Sequence, residues 1–133
     1  MKKKISDLCV LVIDDQSESR ALMRTILTDL GINQIYEAQD GKAGMMFIDS
    51  AFDEVDVVLC DWNMPHMSGI DLLKQVRSTG SAMPFMMITG RSDQASVVEA
   101  KSLGVSVYVR KPYSPTQIEA KLRVVLQRMQ VAA

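Results

Sequence analysis

The chain has little of several features that mark specialised classes of protein. Its 133 residues include two cysteines and one histidine, too few for a disulfide framework or a typical zinc site. Its apolar runs, such as residues 8–13, are far shorter than the ~20 residues of a membrane-spanning helix, and too short for a signal-peptide core. Fifteen Lys and Arg face 16 Asp and Glu, a net charge of -1, which gives no general attraction to nucleic acid or anionic membranes. We therefore expect a cytoplasmic protein that binds neither nucleic acid nor membranes.

What is present fits one ordinary globular domain. A hydrophobic content of 47% and a charged content of 23% in 133 residues predict a single domain over residues 1–133. Its core is expected over about residues 7–130, with no space for an output domain. Cys9 and Cys60 fall on two predicted strands. As parallel neighbours they would be offset by about four residues, roughly 13 Å, which exceeds the ~7 Å limit for a disulfide. Both are predicted to be reduced core residues.

Short apolar runs alternate with longer amphipathic segments along the chain. Five runs rich in Val and Ile predict strands at residues 8–13, 34–38, 55–60, 84–88 and 105–109. Strict alternation of strands and helices predicts a parallel sheet with right-handed crossovers and helices on both faces. Of the doubly wound orders open to five strands, 2-1-3-4-5 places a site between the first and third strands. The predicted fold is therefore a five-stranded α/β sheet of this type.

The helices are predicted from apolar residues at helical spacing and from residues that start or stop helices. Segment 40–50 is a weaker prediction, and 92–103 a better one that Gly104 would close in the left-handed conformation. Ser114, Pro115 and Gln117 make a capping box that starts the last helix. The apolar stripes are Leu22, Ile26 and Leu30 before Gly31; Ile70, Leu73 and Val76 between Ser68 and Gly80; and Ile118, Leu122, Val125, Leu126 and Met129.

Five polar residues stand where the predicted strands end. They are Asp14, Asp15, Asp61, Thr89 and Lys111. Because the carboxyl ends of parallel strands meet at one edge of a sheet, these side chains are expected to converge there. Each alone has an ordinary alternative: the Asp pair can cap a helix, the threonine can lie in a turn and the lysine can be a solvated surface group. Their joint placement favours a site.

The three acids predict a divalent cation. Carboxylates about 5 Å apart repel by roughly 3 kcal/mol per pair at an effective dielectric constant near 20. Mg²⁺ suits oxygen ligands shared with phosphate, with Mn²⁺ as an alternative, whereas the chain lacks the EF-hand spacing of a calcium site. Thr89 and Lys111 could bind phosphoryl oxygens, and a carboxylate can accept the group as an acyl phosphate. Asp61 is the candidate nucleophile, and the adjoining Trp62 is expected to be a partly exposed loop aromatic rather than a chemical participant.

These motifs together resemble those of response regulator receiver domains, in particular the stand-alone CheY-like ones with a flavodoxin-like fold. The resemblance covers essentially the whole chain. It rests on Asp14-Asp15 after LCVLVI, on DWNMP from Asp61 to Pro65 with Gly69 following, on Thr89-Gly90 after MMI, and on Lys111-Pro112 after YVR.

The resemblance implies a role for each acid at the predicted edge. Asp61 would be the phosphoacceptor. Magnesium would be bound by the side chains of Asp15 and Asp61 and by the backbone carbonyl of Asn63, with Asp14 acting largely through water. Thr89 and Lys111 would hold the phosphoryl group.

The resemblance also implies a conformational switch and residues that control the lifetime of the phosphorylated state. Tyr108 would turn inward as Thr89 moves toward the phosphoryl group, and this would alter the surface of the fourth helix, fifth strand and fifth helix. Asn63, Gly90 and Arg91 would tune the lifetime of the phosphorylated state. Arg91 departs from the best-known chemotaxis regulators, in which this position is usually acidic. The bond from Lys111 to Pro112 would be cis.

The expected function is a phosphoacceptor signalling domain, not an enzyme, that phosphorylates and dephosphorylates itself. A sensor histidine kinase or phosphotransfer protein would supply the phosphoryl group, and a protein target would bind the switch surface of a monomer or weak dimer. Chemotaxis is one pathway, and a phosphorelay intermediate or phosphate sink is the alternative. Two other classes stay open: a phosphate-independent adaptor, and an aspartate-nucleophile phosphohydrolase, which Asn63 disfavours because that family has a second acid there.

Overall fold

The computed structural model describes residues 3–51, 53–91 and 93–132 as one five-stranded sheet with helices on both faces. All strand pairs are parallel and the order is β2-β1-β3-β4-β5, which confirms the predicted topology. The strands are β1 (Cys9–Ile13), β2 (Gln34–Ala38), β3 (Val57–Asp61), β4 (Phe85–Thr89) and β5 (Val107–Arg110). The helices are α1 (Ser17–Asp29), α2 (Gly41–Ser50), α3 (Gly69–Ser78), α4 (Gln94–Ser102) and α5 (Pro115–Ala132), preceded by a short 3-10 helix at Ile5–Asp7.

The core consists of two apolar layers, one on each face of the sheet. Val10 and Val12 of β1 belong to the layer packed against α1 and α5, and Leu11 and Ile13 belong to the layer packed against α2 and α3. Every residue of β1, β3 and β4 is buried. These three inner strands are apolar throughout, except for Asp61 and Thr89 at the ends of β3 and β4, because both faces of a parallel sheet are covered by helices.

Several helix boundaries follow the capping signals in the sequence. The Ser114 hydroxyl accepts from the Gln117 amide at 3.2 Å, and the Gln117 side chain accepts from the Ser114 amide at 2.7 Å, as the predicted capping box requires. Ser68 caps α3 in the same way with Asp71. Gly104 follows α4 with φ +85°, the left-handed conformation expected of it.

The fourth helix is anchored differently from the third. The buried residues of α3 include Ile70, Leu73 and Val76, as predicted. Those of α4 are the small Ser96 and Ala100. Since small side chains remove little apolar surface from water, α4 has the weaker hold on the sheet. The predicted start of this helix at Ser92 lies outside the described residues.

Two side chains differ from the sequence-based expectation. Leu22 is 54% exposed, because α1 turns Met23, Ile26 and Leu27 toward the sheet. Trp62 was expected to be a partly exposed loop aromatic, but it is buried in the layer beside α3. Cys9 and Cys60 are free and buried, as predicted. Among the described residues, no helix combines the length and apolar character needed to cross a bilayer.

Candidate functional site

The three acids meet at the carboxyl-end edge of two adjacent strands. Asp14 directly follows β1, and Asp61 is the last residue of β3, whose register pairs Ile13 with Cys60. One carboxylate oxygen from each of Asp14, Asp15 and Asp61 lies within 4.8 Å of the others. Asp14 and Asp61 are buried while Asp15 is exposed. The sheet therefore assembles the predicted acidic cluster, partly shielded from water.

Burial and mutual repulsion leave these acids poorly stabilised as anions. Burial raises the pKa of Asp61, and Asp14 raises it further against the opposing effect of Lys111. Burial also raises the pKa of Asp14, although the Gln16 amide donates to its carboxylate at 2.9 Å and opposes the rise. A divalent cation would relieve both penalties. The donor set, oxygen atoms of three close carboxylates, fits Mg²⁺ rather than a softer metal.

The fourth and fifth strands bring a hydroxyl and an ammonium to the same edge. Lys111 Nζ lies 3.2 Å from Asp61 Oδ1. Thr89 is fully buried at the end of β4, and its hydroxyl accepts from the backbone amide of Arg91 at 3.0 Å. The Lys111 amide donates to the Thr89 carbonyl at 2.8 Å, and the bond from Lys111 to Pro112 is cis. A carboxylate, a hydroxyl and an ammonium therefore lie at the same ends of three neighbouring strands.

Arg91 links the residues that flank this cluster. Its guanidinium carbon lies 5.0 Å from the ring centroid of Trp62, within the range of a cation–π contact, and one nitrogen lies 3.4 Å from Asn63 Oδ1. Its carbonyl accepts from the Tyr108 hydroxyl at 2.7 Å. The Tyr108 ring packs edge-on against Trp62, with centroids 6.4 Å apart. Residues predicted to tune lifetime and to switch therefore form one connected group.

Two glycines at this edge differ in what their lack of a side chain permits. A Cβ on Gly69 would lie 2.5 Å from the Asp61 carbonyl oxygen and 3.0 Å from the Trp62 Cα. Only glycine allows the start of α3 to approach the strand so closely. At Gly90, by contrast, a Cβ would meet no described atom within 4 Å apart from its chain neighbours, and φ is not in the left-handed region. Neither packing nor backbone geometry therefore requires glycine at position 90.

Sequence reasoning missed two contributors to the site. Gly69 belongs to the recognised motif, but its contact with Asp61 depends on how α3 packs. Arg20 donates from Nη1 to the Asp14 carbonyl at 2.6 Å. An arginine in the first turns of an amphipathic helix looks like a solvated charge, so the sequence held no signal for this contact.

The comparisons agree on one family. Residues 10–123 match the response regulator receiver domain model. Chemotaxis protein CheY-3 of Vibrio cholerae serotype O1 is 35% identical over 122 residues, 90% of this chain and 92% of that protein. Chemotaxis protein CheY1 of Helicobacter pylori is 39% identical over 119 residues, 88% of this chain and 95% of that protein. The crystal structure of a response regulator receiver domain protein from Clostridium thermocellum superposes with a TM-score of 0.88 at 25% identity, covering 95% of this chain and 99% of that one.

The family model spans most of the chain, and the curated relatives are matched along nearly their whole length. The fold, the strand order and the acidic cluster all agree with that match. The chain belongs to the response regulator receiver domain family, whose members are signalling domains of two-component systems rather than classical enzymes.

Proposed function

We propose that this protein is a receiver that accepts a phosphoryl group on Asp61. The observation that carries the proposal is the setting of that carboxylate: it lies within 4.8 Å of Asp14 and Asp15, and 3.2 Å from the Lys111 ammonium. Phosphoryl transfer depends on positioning and on cations that neutralise charge on the transferred oxygens. A nucleophile beside metal-binding acids and a lysine meets both needs.

In the proposed reaction, an Asp61 oxygen bonds to the phosphorus of a phosphohistidine while the phosphorus–nitrogen bond breaks. The departing imidazole nitrogen takes up a proton. Asp15, Asp61 and the Asn63 carbonyl would hold Mg²⁺, or Mn²⁺ with the same oxygen ligands, and Asp14 would act largely through water. The metal would neutralise charge on the phosphoryl oxygens.

The residues around Asp61 would control access of the phosphodonor and the lifetime of the phosphorylated state. Lys111 and Thr89 would bind phosphoryl oxygens. The open space at Gly90 would admit a histidine-bearing partner, either a sensor kinase or a phosphotransfer protein. Asn63 and Arg91 would control whether water reaches the acyl phosphate, so that the domain catalyses its own dephosphorylation as well as its phosphorylation.

Arg91 could transmit a conformational change from the phosphoryl group to the surface that binds a partner. Its amide donates to the Thr89 hydroxyl, and its carbonyl accepts from Tyr108. If Thr89 turned toward a phosphoryl group, it would lose the first bond and disturb the second. The weakly anchored α4 and the adjoining β5 and α5 would then present a changed face to a target protein. We propose this face as the output surface of a monomer or weak dimer.

Chemotaxis is the pathway that the curated relatives favour, because both are named chemotaxis proteins. The basic Arg91 stands where the best-known chemotaxis regulators usually have an acid. A phosphorelay intermediate or phosphate sink is therefore kept as the second candidate. Residence in the cytoplasm stays a prediction.

The deciding experiment combines intact mass with the fluorescence of Trp62, the one tryptophan of the chain. The native protein is treated with Mg²⁺ and then with a small phosphodonor or beryllofluoride. We expect a mass increase of one phosphoryl group and a fluorescence change at each step, because Trp62 directly follows the acceptor. Asp61→Asn should abolish the mass increase, whereas Asp56→Asn, a half-buried acid at the opposite edge of the sheet, should keep it.

Each other outcome has a distinct meaning. A protein that takes up no phosphoryl group would refute the acceptor role and favour a phosphate-independent adaptor. Continuous catalytic turnover of phosphate esters without a stable adduct would favour the phosphohydrolase. An unchanged mass increase in Asp61→Asn would move the acceptor to another residue.

A further inference from the structure

Helix α1 carries two arginines one turn apart that share an acid but contact different backbones. Arg20 Nε and Arg24 Nε contact the two oxygens of Glu37 at 3.2 and 2.8 Å. Arg24 also donates to the carbonyl of Ile35, within the edge strand β2. Arg20 instead donates to the carbonyl of Asp14, inside the acidic cluster. The bond to the Asp14 carbonyl is 2.6 Å long and that to the Ile35 carbonyl 3.1 Å. The side chain of Arg20 is 17% exposed and that of Arg24 46%, so the shorter backbone contact comes from the better shielded arginine.

The bond from Arg20 completes a set that fixes the Asp14 main chain. The Asp14 amide donates to the Ala38 carbonyl at 3.1 Å, and its carboxylate accepts from the Gln16 amide at 2.9 Å. The carbonyl that Arg20 binds belongs to the peptide group joining Asp14 to Asp15. The orientation of that peptide sets the direction in which the exposed Asp15 leaves the backbone. Arg20 is therefore placed to orient both acids without touching either carboxylate.

We infer that Arg20 is a positioning residue that raises the affinity of the acidic cluster for Mg²⁺. The inference rests on the proposed function, because it deepens the metal site described there. Groups that orient metal ligands through hydrogen bonds typically contribute about 10- to 100-fold in affinity. Arg20 is braced by Glu37, whose carboxylate holds the guanidinium while Nη1 holds the carbonyl. A planar guanidinium can make both contacts at once.

The charge of Arg20 acts in the opposite direction, which makes the inference testable. A nearby guanidinium repels Mg²⁺, so removal of the charge alone would tighten metal binding. Loss of the hydrogen bond would loosen it. Arg24→Gln removes an equal charge and the contact with the other Glu37 oxygen from the same helix, but leaves Asp14 untouched. It is therefore the matched control for Arg20→Gln.

The experiment is calorimetric titration of Mg²⁺ into the full chain as wild type, Arg20→Gln, Arg20→Lys and Arg24→Gln. We expect Arg20→Gln to weaken binding about 10-fold relative to Arg24→Gln. Arg20→Lys keeps the charge, but a compact ammonium cannot bind the Glu37 carboxylate and the Asp14 carbonyl at the same time as a planar guanidinium does. It should fall between Arg20→Gln and the wild type, a partial rescue that a general loss of folding would not produce.

The inference is overturned if either Arg20 variant binds Mg²⁺ as tightly as Arg24→Gln. If Arg20→Gln does not fold, Arg20→Lys alone decides by the same comparison. Intact mass after phosphodonor treatment separates this result from the parent proposal. A wild type that forms the Asp61 adduct while Arg20→Gln matches Arg24→Gln would refute the role of Arg20 and leave the acceptor role standing.

Discussion

The carboxyl-end edge of the sheet, where the strands end, and the amino-end edge, where they begin, differ in how their charged groups are paired. At the carboxyl-end edge, three acids crowd within 4.8 Å, and burial raises the pKa of two of them. At the amino-end edge, Lys3 Nζ lies 2.8 Å from Asp56, which also accepts from the Cys9 amide. There Arg77 donates to the carbonyls of Ser81, Met83 and Gly104. The comparison indicates that one edge stabilises the fold and the other is held in a strained electrostatic state that a ligand can relieve.

The largest expected effect is the loss of Arg77 at the amino-end edge. Arg77→Ala removes donors from three carbonyls, and buried acceptors without a partner each cost about 1–3 kcal/mol. Because these carbonyls are partly exposed, we expect the free energy of unfolding to fall by about 2–4 kcal/mol. Urea unfolding measures it, and Arg77→Lys should recover part of the loss. If the free energy of Mg²⁺ binding changed as much as the free energy of unfolding, the amino-end edge would not be independent of the metal site.

A smaller loss is expected from Gly69→Ala at the carboxyl-end edge. The added methyl would lie 2.5 Å from the Asp61 carbonyl oxygen, and such overpacking costs about 1–3 kcal/mol. It should also weaken Mg²⁺ binding, because the backbone of Asp61 must shift. The matched control is Gly90→Ala, for which we expect a stability change within about 0.5 kcal/mol, since the site is open. Equal losses in both variants, measured by urea unfolding, would rule out the close approach as the cause.

An effect of the opposite sign is expected when one crowded acid is neutralised. Asp14→Asn keeps an oxygen for the Gln16 amide but removes one repelling charge. Without metal, we expect the free energy of unfolding to rise by about 1 kcal/mol, which allows for solvent screening at the exposed Asp15. In Mg²⁺ the order should reverse, because the wild type gains stability from the bound ion. Thermal unfolding with and without Mg²⁺ measures both. A variant less stable than the wild type under both conditions would show that the cluster is not under strain.

The placement of the acids was predictable because it depends on strand ends. The convergence of Asp14, Asp61 and Lys111 could be predicted because each follows or ends a short apolar run, and parallel strands present their carboxyl ends together. No contact between distant segments had to be known. The strand order was predictable for the same reason, because alternating strands and helices leave few topologies.

The misjudged side chains depend on contacts that only the folded chain provides. Leu22, Ile26 and Leu30 repeat every four residues, and such a stripe drifts by about 40° per step around a helix of 3.6 residues per turn. The sheet therefore meets Met23 instead of Leu22. Trp62 is buried under Arg91 and Tyr108, which are supplied by segments far along the chain. The carbonyl that Arg20 binds likewise depends on how α1 is rotated.

The smallest expected effect is the dependence of stability on pH in the metal-free protein. In the unfolded chain an aspartate titrates near pKa ~3.9, whereas burial raises the pKa of Asp14 and Asp61 in the folded state. Between these values the folded state binds more protons than the unfolded state. Stability from these two groups therefore falls as the pH rises through that window, and the penalty is complete once both are ionised.

We expect the advantage in unfolding free energy of the Asp14→Asn/Asp61→Asn double variant over the wild type to grow with pH across this window and then level off. Urea unfolding in EDTA at a series of pH values measures it. Asp93 provides a control of opposite sign, since hydrogen bonds from Ser96 lower its pKa. Its contribution is present above the ordinary carboxyl pKa and is lost as the pH falls through the lowered value. Asp93→Asn should therefore be less stable than the wild type by a constant amount at higher pH, and this difference should shrink as the pH falls through the lowered value. A pH-independent advantage of the double variant would mean that the two buried acids titrate normally, and the electrostatic contrast between the edges would then fail.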